Sequence, residues 1–163
     1  MYTVAILTLS DKGHAGARED ASGAVIRKIV EERGHAVTSY RILPDEKDVI
    51  VAELVRLCDS QVADLVLTTG GTGFSPRDVT PEATLCVVER VCPGIPEAMR
   101  AHSLAITRRA MLSRAVAGIR GGTLIVNMPG SPKAVAECLD YAMEALEHGL
   151  EILTGKGGEC ART

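Results

Sequence analysis

No tryptophan occurs in the 163-residue chain, phenylalanine occurs once, at Phe74, and aromatic residues make up only 2%. A surface built to stack nucleobases is therefore excluded. There is no basic excess either: 18 Lys and Arg stand against 21 Asp and Glu, a formal net charge of -3. Neither a nucleic-acid backbone nor an anionic membrane surface is an expected partner. No apolar run approaches the roughly 20 residues needed to cross a bilayer. The five cysteines form no Cys-x-x-Cys pair, and the four histidines are scattered without metal-ligand spacing, so a disulfide framework and a zinc site are both excluded. Most of the cysteines are expected to be buried thiols. The apolar stretch 4–9 has no cationic leader before it, so it reads as a first strand of a cytoplasmic protein rather than a signal.

What is present is a hydrophobic fraction of 46% with 24% charged residues, the balance of one folded domain of ordinary size. Three short apolar runs, 4–9 (VAILTL), 65–69 (LVLTT) and 124–128 (LIVNM), end at Ser, Gly or Pro. Their consecutive apolar residues suit strands covered on both faces, as in a parallel sheet between helices. A weaker strand is expected over 35–43. Helical stripes lie between them: Val25, Ile26, Ile29 and Val30, then Ile50, Val51, Leu54, Val55 and Cys58. Thr80 before Pro81 predicts an N-cap and a helix running through Leu85, Val88 and Val91. Ser131 before Pro132 opens the longest helix, with a stripe of Val135, Leu139, Ala142, Met143, Leu146, Leu150 and Leu153 ending at Gly155. Residues 115–128, with Gly121 and Gly122 at their middle, predict an antiparallel pair. The expected fold is a three-layer α/β/α Rossmann-like domain with a mostly parallel mixed sheet over residues 1–155, followed by a flexible tail, 156–163.

Ligands of open α/β sheets sit beyond the carboxyl ends of the strands. Four loops meet there: Ser10 and Asp11, then Pro44 and Asp45, then residues 70–78, then residues 127–131. Gly70, Gly71, Thr72 and Gly73 follow a strand directly and suit either a phosphate cradle or a tight turn. Pro129, Gly130 and Ser131 join a strand to a helix N-terminus, which suits an anion or plain capping. Asp45 and Asp78 are carboxylates from two loops on one edge, an arrangement suited to Mg²⁺ facing phosphates; either alone also suits a turn. Arg77 could fork a phosphate. Arg108, Arg109, Arg114 and Arg120 gather positive charge locally, consistent with a second anion pocket or with solvated surface charge.

The stretch from Leu67 to Thr84, LTTGGTGFSPRDVTPEAT, resembles the signature of the Mog/MoaB molybdopterin adenylyltransferase family, which includes the G domains of gephyrin and its plant counterpart. Residues 110–114 (AMLSR), 117–121 (AGIRG) and 124–132 (LIVNMPGSP) are similar to its later motifs, and 7–11 (LTLSD) and 43–46 (LPDE) to its early ones. The resemblance spans nearly the whole chain. It implies a homotrimer that joins AMP from Mg-ATP to the terminal phosphate of molybdopterin, with pyrophosphate leaving. By motif position, Ser10, Asp11, Gly70, Gly71, Thr72, Gly73, Asn127, Pro129 and Gly130 would hold the nucleotide. Asp45 and Asp78 would carry the Mg²⁺-dependent chemistry. Ser103, Ser113 and Arg114 would bind the pterin or its phosphate. Two features bear on this likeness: Arg108 and Arg109 stand where related chains are often less charged, and no E domain follows, so a separate MoeA-like metal insertase is an expected partner. The alternative is a MoaB-like protein that binds pterin or nucleotide without committed adenylyltransferase activity.

Overall fold

The computed structural model describes residues 1–155; the expected tail, 156–163, lies outside them. Six strands form one sheet in the order β2-β1-β3-β6-β5-β4. β1 (Thr3–Leu9), β2 (Ala36–Leu43), β3 (Leu65–Thr69) and β6 (Thr123–Met128) are mutually parallel where they pair. β5 (Ala117–Arg120) and β4 (Arg90–Val91) run antiparallel at the other side. The hairpin between β5 and β6 turns at Gly121 and Gly122, and Gly121 takes φ +54, a conformation that a side chain disfavours.

Alternate residues of each central strand enter different cores. Val4, Ile6, Leu65, Leu67, Leu124 and Val126 pack under helices α2 (Ala21–Glu32), α5 (Gly94–Leu104) and α6 (Pro132–Thr154). Ala5, Leu7, Leu9, Val66 and Ile125 pack under α3 (Lys47–Asp59) and α4 (Thr80–Val87). The expected stripes face inward, and in α6 Val135, Leu139, Met143, Leu146 and Leu150 are at most 1% exposed. Each such side chain contributes about 1.5–3 kcal/mol by leaving water. α6 begins at Ser131, whose hydroxyl accepts from Ala134 N, and stops at left-handed Gly155.

Three expectations need correction. The helix opened near Thr80 ends at Val87 instead of running through Val91, because the edge of β5 captures the chain: Glu89 N bonds Ile119 O at 2.8 Å and Cys92 N bonds Ala117 O at 2.8 Å. Val79 occupies the cap, and Thr80 turns its hydroxyl to Gly70 O, 3.0 Å away. Of the cysteines, Cys58 and Cys138 are buried, but Cys92 is intermediate and Cys86 exposed; Cys160 lies outside the described residues. Among the described residues no helix is long and apolar enough to cross a membrane.

Candidate functional site

The carboxyl ends of β1, β2, β3 and β6 form one edge, and their loops are tied together. Ser10 N donates to Leu43 O at 2.9 Å, and Thr69 Oγ1 donates to Pro129 O at 2.6 Å. A Cβ on Gly130 would sit 3.3 Å from Gly70 Cα, so the two glycine-bearing loops touch. Gly70 itself has φ +96, and a Cβ there would lie 2.4 Å from Leu9 O. Only glycine fits at that crossing.

Asp45 and Asp78 lean over this glycine loop. A Cβ on Gly71 would approach Asp45 Oδ1 to 3.4 Å, and one on Gly73 would approach Asp78 Oδ2 to 2.9 Å. Asp45 is fixed by a reciprocal pair: Asp11 N donates to Asp45 Oδ2 at 2.9 Å, and Asp45 N donates to Asp11 Oδ1 at 3.0 Å. Burial pushes the Asp45 carboxyl above its usual range against the opposing hydrogen bond from Asp11 N; the carboxylates of Asp11 and Asp78 add to the rise, while Arg77 opposes it. Asp78 is held by Ser75 N, which donates to Oδ2 at 2.8 Å.

The glycine loop also borders a cavity of about 270 Å³. Thr72, Gly73 and Pro129 form its inner wall; Ser103, Ser113, Met99, Leu112, Arg109 and Cys138 are among its other lining residues. Ser103 comes from the end of α5, where its hydroxyl lies 3.3 Å from Cys138 Sγ. Ser113 follows a single 3-10 turn, Arg108–Leu112. Arg100 of α5 steadies this segment by donating to Ala115 O at 2.9 Å. Met99 and Arg100 belong to no motif, and the i, i+4 spacing of Ile95 and Met99 is the one signal that could have placed them.

Several of the expected contact residues also have partners within the fold. Asn127 is fully buried inside β6, and its amide is consumed there: Nδ2 donates to Thr68 Oγ1 at 3.0 Å and Thr84 Oγ1 at 2.9 Å, while Oδ1 accepts from Val116 N at 3.2 Å. It braces β3, α4 and β6 from inside the fold. Asp11 gives both oxygens to Arg77, at 3.0 and 2.9 Å. That guanidinium holds the Asp11 carboxyl below its ordinary range, so Asp11 orients Asp45 instead of meeting an anion. Arg77 also bonds Glu46 at 2.9 Å and thus forks carboxylates rather than a free phosphate position. Ser10 caps the short helix α1 (Asp11–His14), its hydroxyl accepting from Gly13 N at 3.0 Å. The four arginines do not form one pocket: Arg120 pairs with Asp59 at 2.8 Å, Arg114 with Glu82, and of the four only Arg109 lines the cavity. Arg114 donates to Gly73 O and Asp78 O, each at 2.7 Å, so its fork is engaged by loop carbonyls.

Fold and crevice together define a class: a three-layer α/β/α domain with a glycine-lined crevice at the carboxyl edge of a parallel sheet. Residues 5–148 match the family model described as "Probable molybdopterin binding domain", and the chain belongs to that family. It is 41% identical over 154 residues to the molybdopterin adenylyltransferase of Helicobacter pylori (strain J99), covering 93% of this chain and 88% of that one. It is 39% identical over 165 residues to gephyrin of Dictyostelium discoideum, covering 95% of this chain and 23% of the relative. Among solved structures it resembles the molybdopterin biosynthesis enzyme MoaB of Thermus thermophilus, with 46% identity, a TM-score of 0.90, and coverage of 95% and 98%.

Proposed function

We propose that this chain is a molybdopterin adenylyltransferase of molybdenum cofactor biosynthesis, transferring AMP from ATP to the terminal phosphate of molybdopterin. The observation that carries the reading is that one glycine loop borders both a cavity bearing Ser103 and Ser113 and the Asp45 and Asp78 carboxylates, which lean over Gly71 and Gly73. The cavity takes the pterin, with Ser103, Ser113 and Arg109 as its polar contacts. The triphosphate lies along Gly70, Gly71, Thr72 and Gly73 and toward Pro129 and Gly130. An oxygen of the pterin phosphate then attacks the α-phosphorus in line; that P–O bond forms as the bond to pyrophosphate breaks, and pyrophosphate leaves. There is little covalent work for side chains in such a transfer, so positioning and charge compensation dominate.

Mg²⁺ fits the residues present. Among the described residues no group of three or more His, Cys, Asp and Glu could hold a metal, yet the Asp45 and Asp78 carboxylates lean over Gly71 and Gly73 of one glycine loop. A hard cation held by one or two carboxylates and completed by substrate phosphates suits that donor set. Asp45 and Asp78 would hold it, and it would neutralise charge on the departing pyrophosphate. The same reading places the enzyme in the cytoplasm as a homotrimer that passes its product to a separate MoeA-like insertase. An exposed apolar groove between α5 and α6, with Ile95, Ala98 and Tyr141, supports self-association, which light scattering tests.

The deciding experiment is chromatographic detection of adenylylated molybdopterin after mixing protein, molybdopterin and ATP with and without Mg²⁺, alongside Asp78→Asn. Metal-dependent product that falls about 100-fold or more in the variant, with pterin binding kept, is expected. Pterin binding without product in the wild type would transfer the assignment to a binding protein of the same fold.

A further inference from the structure

We infer that Arg114 is a positioning residue that couples the pterin cavity to the Asp78 loop, rather than a ligand of the pterin phosphate. The inference rests on the proposed adenylyltransferase reading for its activity readout, but its structural basis is independent. The main-chain N–H of Arg114 donates to Thr72 O at 2.9 Å. Its side chain donates from Nε to Gly73 O at 2.7 Å and from Nη2 to Asp78 O at 2.7 Å. Nη1 is anchored on Glu82, in the first turn of α4. One guanidinium therefore clamps the two ends of the loop over residues 73–78, whose interior is closed by Asp78 N to Ser75 O at 2.9 Å and Ser75 N to Asp78 Oδ2 at 2.8 Å.

The clamp starts from the wall of the cavity. Arg114 lies between Ser113 and Ala115, both of which line it, and Arg100 ties that segment to α5 through Ala115 O. A ligand seated against Ser113 thus presses on a segment whose next residue sets where Asp78 stands. The three acceptors face three donor positions of a rigid planar fork, and a lysine ammonium, a single point on a flexible stem, cannot reproduce that set. Glu82 anchors the third arm of the fork through Oε1, which accepts from Nη1.

The test compares Arg114→Gln, Arg114→Lys and Glu82→Gln with wild type. Molybdopterin affinity, read by equilibrium titration, is expected to stay within about threefold in all three, while kcat for AMP transfer falls about 10- to 100-fold in both Arg114 variants, the range typical of groups that orient others. In Glu82→Gln the fork keeps its carbonyl partners, so kcat falls less, by about 3- to 10-fold. Amide exchange in ligand-free protein is the second readout: residues 74–78 should exchange about tenfold faster or more in Arg114→Gln while the amides of β1 and β3 keep wild-type protection. A phosphate-binding role predicts the opposite pattern, with pterin affinity lost in Arg114→Gln, substantially restored in Arg114→Lys, and exchange at 74–78 unchanged; that pattern overturns the inference. If Arg114→Gln does not fold, Glu82→Gln decides, and an unchanged kcat there overturns it. Absence of product from the wild type would sink the adenylyltransferase reading, whereas the exchange result would still decide the role of Arg114.

Discussion

Replacing Asn127 with alanine separates a brace from a ligand contact. The side chain is fully buried and makes three hydrogen bonds, two from Nδ2 to the hydroxyls of Thr68 and Thr84 and one into Oδ1 from Val116 N. Losing Oδ1 orphans the Val116 N–H at a cost of about 1 kcal/mol or more, and the two threonine hydroxyls each lose a donor, worth about 0.5–1 kcal/mol. The void left between β3, α4 and β6 brings the total to about 3 kcal/mol. For a domain of this size that corresponds to a fall in Tm of about 6–12 °C. Thermal and urea unfolding at fixed protomer concentration, run beside a nucleotide-binding titration, measure both quantities. A loss of less than about 1 kcal/mol together with markedly weaker ATP binding would refute the brace and return Asn127 to the ligand contacts.

Three further outcomes follow from the same geometry. Gly70→Ala must hold φ +96 with a Cβ 2.4 Å from Leu9 O, whereas Gly16→Ala at φ +72 meets nothing within 4 Å; unfolding experiments should show the first costing at least about 2 kcal/mol more than the second, and equal costs would contradict the close approach. Glu53 is buried between Arg56 and Arg41, and Arg56 above all holds its carboxyl below the ordinary range. A depressed folded-state value stabilises above the unfolded-state value near about 4.3 and is lost as pH falls through the folded one; Glu53→Gln should therefore flatten the acid side of a stability–pH curve, and parallel curves would dismiss the ion pair. Arg109→Gln should weaken molybdopterin binding about tenfold at low salt and less at high salt, with affinity unchanged if Arg109 only lines the rim.

The central strands were readable because β1, β3 and β6 are covered on both faces and so present unbroken apolar runs, and the β5–β6 turn was readable because two adjacent glycines sit between them. The end of α4 was not, since apolar spacing cannot report that the edge of β5 will bond Glu89 and Cys92. The four ligand loops could be named because strand ends in a parallel sheet all point one way. What the side chains do in those loops depends on partners far along the chain: Arg77 meets Asp11 across 66 residues, and Arg114 meets Gly73 across 41. No local pattern carries such pairings, which is why the in-fold partners of Asn127, Asp11 and Arg114 were not legible in the sequence. Ser103 and Ser113 had no signal beyond family resemblance, and the cavity now supplies a physical reason to group them.

Charge compensation explains why so many braces surround so few contacts. Two anionic reactants must approach within bonding distance, yet the arginines nearest the loop are already committed: Arg77 to Asp11 and Glu46, Arg114 to Glu82 and two carbonyls. Those pairs add no net positive charge to the crevice; they spend their directionality on fixing Asp45 and Asp78 against their mutual repulsion. On the proposed reading, the two carboxylates over the glycine loop would hold a divalent cation together with phosphate oxygens. If these pairs act by positioning, a brace variant should lose turnover before it loses affinity.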